Sequence, residues 1–284
     1  MTFSKTLQQH LEQELHIHIQ QIAPLSGGDI NQVFKITTTD GLHFVIKLNS
    51  AKVFHRMFAA EAIGLKTLAK TQAFKTPKVI SHGEFANQSY LILEYIHSGS
   101  MGKSFWLNFG KQLARLHKTT NLYFGLETHN YIGSLPQYNT KTENLPSFYI
   151  EQRLEPQFKL ASKKGYSFTI NSFYKNLEQI IPNEQPALIH GDLWSGNYLV
   201  DENGYPALID PAICFGSREM DIAMMHLFGG FSSKVFDYYH QSFPLIEEWK
   251  RRLSIWQLYY LLVHLNLFGS SYYASVSNII KQFS

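Results

Sequence analysis

His190-Gly191-Asp192-Leu193-Trp194-Ser195-Gly196-Asn197, followed by Asp210-Pro211-Ala212, is the stretch on which the reading of this chain turns. Short apolar runs flank it, Leu188-Ile189 before and Tyr198-Leu199-Val200 after, and Asp201-Glu202-Asn203-Gly204 makes a turn ahead of Ala207-Leu208-Ile209. A turn followed by a hairpin of about 12 residues returns Asp210 to the place where Asn197 sits, so Asp192, Asn197 and Asp210 converge as three oxygen donors. Such oxygens suit Mg²⁺, which completes its octahedron with water and phosphate. One carboxylate beside a hydroxyl accepts its proton, while an amide and a second carboxylate hold metal on a nucleotide's phosphates. Taken singly, Asp, Asn and Gly also make ordinary turns, and it is the spacing of the whole set that points to phosphoryl transfer.

The spacing parallels the H-R-D-L-x-x-x-N loop of protein kinases, with Asp210 in the place of the Asp of D-F-G. The first third of the chain supplies the matching context. Ile17 to Leu25, Ile30 to Thr37 and Leu42 to Leu48 read as three strands of an antiparallel meander, separated by Ser26-Gly27-Gly28-Asp29 and Thr39-Asp40-Gly41. Val45-Ile46-Lys47 ends the third strand, and Glu61 falls 14 residues later within a helix predicted over 54–69. A Lys so placed contacts nucleotide phosphates while the Glu fixes its orientation. The turn at Gly27 and Gly28 matches neither the kinase glycine loop nor a Walker A sequence, yet adjacent glycines let backbone approach phosphate closely. Asp29 in that turn repels phosphate unless it points away or meets metal.

Further on, strands are predicted near 78–82 and 90–96, and helices over 105–117, 146–162 and 172–181, with mostly helix after Ser217. The stretch 121–137, rich in Gly, Asn and Pro, reads as an ordered loop. A lobe boundary falls at His97-Ser98-Gly99-Ser100, giving an N-terminal nucleotide-binding lobe, 1–97, and a catalytic and substrate-binding lobe, 98–284. At 284 residues the chain is long enough for two such lobes. With 44% hydrophobic and 17% charged residues it has the composition of a packed globular protein, not of a disordered one.

The 25 Lys and Arg against 22 Asp and Glu leave a dispersed +3, without the basic stripe of a nucleic-acid binder. The lone Cys214 excludes an internal disulfide and a thiolate metal site, which fits a reducing cytoplasm. Residues 1–22 carry Lys5, Glu12 and Glu14 instead of the apolar run of a signal peptide. The most apolar segment, 253–268, is interrupted by Gln257, His264 and Asn266 and falls short of the ~20 residues of a membrane span, so a buried helix is expected.

Six segments together resemble the fructosamine kinases, also called ketosamine-3-kinases, within the aminoglycoside and choline phosphotransferase group. They are Ser26-Gly27-Gly28-Asp29-Ile30-Asn31, Val45-Ile46-Lys47, Asn130-Tyr131-Ile132-Gly133-Ser134, Glu151-Gln152-Arg153-Leu154, His190 to Asn197, and Arg218-Glu219-Met220-Asp221. The resemblance implies a two-lobed α+β protein-kinase-like fold, β-rich in its N-lobe and mainly helical in its C-lobe. It implies ATP-dependent phosphorylation of the C3 hydroxyl of a ketosamine, carried by a small molecule or by a glycated protein lysine, in deglycation. Asp192 would be the base, Asn197 and Asp210 the Mg²⁺ ligands, Lys47 and Glu61 the phosphate-positioning pair, and Glu94-Tyr95-Ile96 the hinge that meets adenine. Asp221 would brace the catalytic loop. Trp194 would offer a flat face to the sugar, or else pack in the core; Arg153 would face substrate, or else pair with Glu151 or Glu155. Some relatives carry a cysteine in the glycine-rich turn, linked to redox-sensitive dimers. Its absence here implies a monomer without a disulfide-linked partner. Two rivals stand beside this reading: a kinase for an aminoglycoside-like or choline-like hydroxyl compound, and a nucleotide-binding pseudokinase scaffold.

Overall fold

Ser4 starts the first helix: its Oγ accepts the Leu7 amide at 3.1 Å, supplying one of the four amides that a helix start leaves without partners. The computed structural model describes residues 3–25 and 30–284, so the expectations for Gly27, Gly28 and Asp29 lie outside the described residues. The chain divides into two compact units, one running to Met101 and including Leu199–Ile209, the other formed by Gly102–Tyr198 and Asp210–Ser284.

The first unit contains α1 (Lys5–Leu15), β1 (Ile19–Pro24), β2 (Gln32–Thr38), β3 (His43–Ser50), α2 (Met57–Lys70), β4 (Val79–Phe85) and β5 (Gln88–Glu94). The five strands form one antiparallel sheet in the order β1-β2-β3-β5-β4. Alternation along β3 assigns its faces: Ile46 and Leu48 pack with Ile36, Ile92 and the α1 residues Leu7 and Leu11. On the opposite face Leu91 and Leu93 pack against Phe58, Ala62 and Leu65 of α2. Lys47, between Ile46 and Leu48, therefore shares the α2 face, where Glu61 stands one helical turn beyond Phe58.

Helix α1 is not predicted by the sequence pattern. Glu14 ties it to the sheet by accepting from the hydroxyls of Ser81 and Tyr90, and Glu12 accepts the Ile19 amide at 2.8 Å.

The second unit contains α3 (Phe105–His117), the hairpin β6 (Asn130–Ile132) and β7 (Leu135–Gln137), α4 (Leu145–Tyr149), α5 (Glu155–Lys163), α6 (Asn171–Ile180) and β8 (Ala187–Ile189). Next along the chain comes a hairpin of β9 (Tyr198–Val200) and β10 (Pro206–Leu208), which from Leu199 onward belongs to the first unit. The second unit resumes with β11 (Cys214–Gly216), α7 (Glu219–Phe228), α8 (Ser233–Ser242), α9 (Trp249–Phe268) and α10 (Tyr273–Gln282). The expected loop at 121–137 thus holds a short hairpin. The helix expected over 146–162 is one helical run with a π segment at Ile150–Leu154, and a π turn adds a residue that redirects side chains.

The apolar stretch 253–268 is the buried axis of this unit. Ile255, Trp256, Leu258, Tyr259, Tyr260, Leu262 and Leu265 of α9 are all essentially inaccessible. Its polar groups are satisfied inside the protein: Trp256 Nε1 donates to Glu219 at 2.7 Å, Tyr259 Oη to Gln137 at 2.7 Å, and Asn266 to Gln157 at 2.9 Å. Among the described residues no helix is long and apolar enough to cross a membrane.

Candidate active site

Residues expected to act together fall into one group in each unit. In the first unit Lys47 Nζ lies 2.7 Å from Glu61 Oε1, with both side chains largely buried. Taking two charges out of water is costly, and a 2.7 Å contact in a poorly solvated setting offsets much of that cost. The pair fixes the lysine's direction, as the strand and helix placement predicts.

The 94–96 segment leaves the sheet at the end of β5. Glu94 Oε2 accepts the Lys78 amide at 3.1 Å, and Ile96 is buried while Tyr95 lies under Lys35 Nζ at 4.2 Å from its ring centre. The Glu94 carboxylate therefore anchors the neighbouring strand.

In the second unit the stretch 190–197 follows the antiparallel pair β8 and β11, registered Ile189 to Cys214. Beyond this pair the His190 carbonyl accepts the Ala212 amide at 2.9 Å. At Gly191 the two segments cross so closely that an added Cβ would sit 2.1 Å from the Ala212 carbonyl oxygen, and φ is +82°. Only glycine meets both demands. That crossing sets the chain leaving toward Asp192 beside the chain arriving from Asp210.

Asn197 is held by its own amide: Nδ2 donates to the Asp192 carbonyl at 2.9 Å and to Asp192 Oδ2 at 3.1 Å. This turns the Asn197 side-chain oxygen away from Asp192. Asp210 adopts φ +55°, a conformation rare outside glycine and found where a site over-determines the backbone. Burial raises the Asp192 carboxyl to about 7, with the negative charge of Asp210 adding to the effect and the Asn197 hydrogen bond opposing it. Two carboxylates that repel each other beside a fixed amide oxygen fit a hard divalent cation. Among the described residues no cluster of three or more His, Cys, Asp or Glu side chains stands ready for a metal, so a cation here would draw its remaining ligands from phosphate and water.

The loop is braced from behind by Asp221 of α7. Its Oδ2 accepts the His190 amide at 2.7 Å and its Oδ1 the Gly191 amide at 2.8 Å, while His117 Nε2 donates to Oδ2 at 3.1 Å. Burial alone would raise this carboxyl, but its hydrogen bond from His117 and the charges and amide around it hold it below the ordinary value. His117 Nδ1 meets the Tyr239 hydroxyl at 2.9 Å, and Arg218, bonded to Glu184 at 2.7 Å, closes the network. Tyr260 Oη donates to the Gly191 carbonyl at 3.1 Å. On the Asp210 side, Asn130 and Gln137 of the β6–β7 hairpin donate to the Ile213 and Ala212 carbonyls at 2.8 and 3.0 Å.

His117, Gln137, Tyr239 and Tyr260 are supports that the sequence does not announce, and Asn130 stands out only within the 130–134 segment that carries the resemblance. A lone polar residue on an apolar helix carries no local mark of a partner about a hundred positions away.

Trp194 is 41% exposed, which removes the core alternative, and its indole lies over Gly196, where a Cβ would come within 2.3 Å of the ring. Arg153, expected either to face substrate or to pair with Glu151 or Glu155, is instead wholly buried in the π segment. Its guanidinium donates to the carbonyls of Tyr138 and Gln152 and to Asn139 Oδ1, and it lies 4.6 Å from the Phe148 ring centre. The extra residue of the π turn swings this side chain inward, where it braces the strand end after β7. Cys214 is buried in β11, and burial raises its thiol, so it lacks the thiolate character of a nucleophile.

The family model for fructosamine kinase matches residues 1–284. A ketoamine kinase assigned in Synechocystis is 38% identical over 268 residues, covering 93% of this chain and 90% of its own. The chloroplastic protein-ribulosamine 3-kinase of Arabidopsis thaliana is 36% identical over 275 residues, covering 93% and 83%. A crystal structure assigned as a fructosamine-3-kinase, from Haemophilus somnus, superposes with a TM-score of 0.88 at 27% identity, over 98% of this chain and 96% of that one. Phosphotransferases outside the family share the fold alone, at 13 and 14% identity.

Proposed function

This chain belongs to the fructosamine kinase family, and we propose that it transfers the γ-phosphoryl group of ATP to the C3 hydroxyl of a ketosamine, a small adduct or a glycated lysine. The observation that carries this reading is the convergence of Asp192, Asn197 and Asp210 on the glycine crossing of Gly191 and Ala212.

Asp192 accepts the C3 hydroxyl proton as the oxygen attacks phosphorus, and the O–P bond to ADP breaks as the new O–P bond forms. A carboxyl with its proton affinity raised to about 7 is matched to that task near neutral pH. Asn197 and Asp210 would hold Mg²⁺, which supplies charge neutralisation on the phosphates when bound. Lys47, oriented by Glu61, steadies the nucleotide phosphates, and Gly27 and Gly28 give them backbone amides. Residues Glu94, Tyr95 and Ile96 meet adenine through backbone groups. Trp194 offers the sugar an exposed flat face. Asp221, His117 and Tyr260 keep the Asp192 loop in its working shape. Because the donor is ATP and the single thiol is buried, we assign the reaction to the cytoplasm.

The test is ADP release with ATP and Mg²⁺ on ribulose-lysine, fructose-lysine, choline and an aminoglycoside, with Asp192→Ala as control. Turnover on a ketosamine alone, lost in Asp192→Ala, is the expected result. Turnover on choline or the aminoglycoside alone would refute the acceptor class, and near-normal activity in Asp192→Ala would refute the base.

A further inference from the structure

The segment Phe228-Gly229-Gly230-Phe231 leaves α7 as a strap against the catalytic loop. Gly229 and Gly230 have φ of +70° and +83°, and a Cβ on Gly230 would lie 2.4 Å from Ser195 Cβ. Tyr198, the residue after Asn197, donates its hydroxyl to the Gly230 carbonyl at 3.2 Å. Phe231 turns inward, 5.3 Å from the Tyr198 ring and 5.6 Å from Phe109. Phe228 turns outward and is 40% exposed. It lies beside His264 of α9 at 4.8 Å between ring centres, and His264 in turn touches Phe268 at 5.4 Å and Tyr272 at 5.2 Å.

A solvent-facing aromatic row thus begins next to the catalytic loop. Two residues of chain span at most about 7 Å, so Phe228 stands close to the glycine that touches Ser195, itself the neighbour of exposed Trp194. Phe268 is 52% exposed at the far end. The row carries no fixed charge: burial lowers the proton affinity of His264, whose Nδ1–H donates to the Tyr260 carbonyl at 2.7 Å. A contiguous exposed apolar patch, unlike a scattered surface hydrophobic, is the kind of surface on which ligands and partners pack.

Resting on the reading that the acceptor is a ketosamine, we propose that Phe228, with Phe268, forms the subsite for the apolar part of the amine carrier. The kinase then discriminates glycated amines by the apolar side chains next to them. An uncharged aromatic surface rewards apolar carriers and gives nothing to a carrier whose neighbours are small and polar.

The experiment compares two capped tripeptides with a central ribulosyl-lysine, flanked by Phe on both sides or by Ser on both sides. For the unmodified enzyme the ratio of kcat/KM is expected to favour the Phe peptide by about tenfold, the effect of burying part of one phenyl ring. In Phe228→Ser and in Phe268→Ser the ratio falls below about threefold, whereas Leu122→Ser, on a loop residue 83% exposed, keeps it. Phe228→Leu retains part of the preference and guards against a folding defect. A ratio near one in the unmodified enzyme, or an unchanged ratio in Phe228→Ser, overturns the proposal. If no ketosamine is turned over, the proposed reaction fails, and calorimetric binding of the same two peptides decides the subsite: a Phe preference lost in Phe228→Ser sustains it, and equal binding overturns it.

Discussion

Replacing Asp192 with Asn should abolish turnover and at the same time stabilise the free protein. Burial and the neighbouring Asp210 raise the Asp192 carboxyl from 3.8 to about 7. A tenfold change in proton affinity is worth about 1.4 kcal/mol, so the ionised carboxylate weighs against folding by up to about 4 kcal/mol, trimmed to about 2–4 kcal/mol by water reaching its partly open side. The sign follows from the direction. A carboxyl whose folded-state affinity for protons is raised leaves stability intact below about pH 4, and the penalty grows until the pH passes about 7. The amide carries no charge and still offers an oxygen to Asn197, so Asp192→Asn escapes the penalty. Urea unfolding of both proteins without nucleotide or metal, at about pH 5 and about pH 8, measures it. The variant should be the more stable at both, with its advantage larger at about pH 8 by at least about 1 kcal/mol. An advantage that is equal at the two pH values, or a variant less stable than its parent, would refute the electrostatic account of this carboxylate.

Three other substitutions probe the supports. Gly191→Ala sets a Cβ 2.1 Å from the Ala212 carbonyl at φ +82°, so it should cost about 2–4 kcal/mol in urea unfolding and most of the activity; a soluble, fully active variant would contradict the crossing. Asp221→Asn should lose stability at neutral pH, and because the native carboxyl is held below its ordinary value of 3.8, the loss should stay constant down to about pH 4 and shrink as the pH falls further; thermal melts from about pH 6 to about pH 2 would show a constant deficit if the reasoning is wrong. Glu61→Ala removes the carboxylate 2.7 Å from the buried Lys47 ammonium, and we expect about 3–5 kcal/mol of destabilisation with a raised KM for ATP; an unaltered KM in folded protein would argue against the positioning role.

Much of the candidate site around Asp192 is legible because its residues lie close in sequence and their turn chemistry is local. The spacing from Asp192 through Asn197 to Asp210 implies convergence, and the hairpin of β9 and β10 accounts for the return of the chain. The strand-then-helix pattern around Lys47 and Glu61 is equally direct, since period-2 alternation in β3 and helical spacing in α2 put both residues on one face. Helix α1 gives little signal because its core-facing stripe holds only Leu7 and Leu11 as fully buried residues amid Gln, His and Glu. The β6–β7 hairpin is hidden by its brevity and by Pro136, which sits opposite Tyr131 in the pair. Arg153 defeats the sequence expectation because a π turn leaves no mark in apolar periodicity, and the direction of its side chain depends on that one added residue. Support for the loop that carries Asp192 is spread over His117, Tyr239 and Tyr260, whose partners lie far along the chain, beyond what any local pattern carries.

The central claim is that the γ-phosphoryl group of ATP passes to the C3 hydroxyl of a ketosamine with Asp192 as the base. Its most direct test is phosphorus–proton correlation NMR of the product formed from ribulose-lysine, ATP and Mg²⁺. A single new phosphate ester coupled to the C3 proton, formed by the unmodified enzyme and absent with Asp192→Ala, is the predicted result. Ester at any other carbon, or undiminished product from Asp192→Ala, would contradict the account.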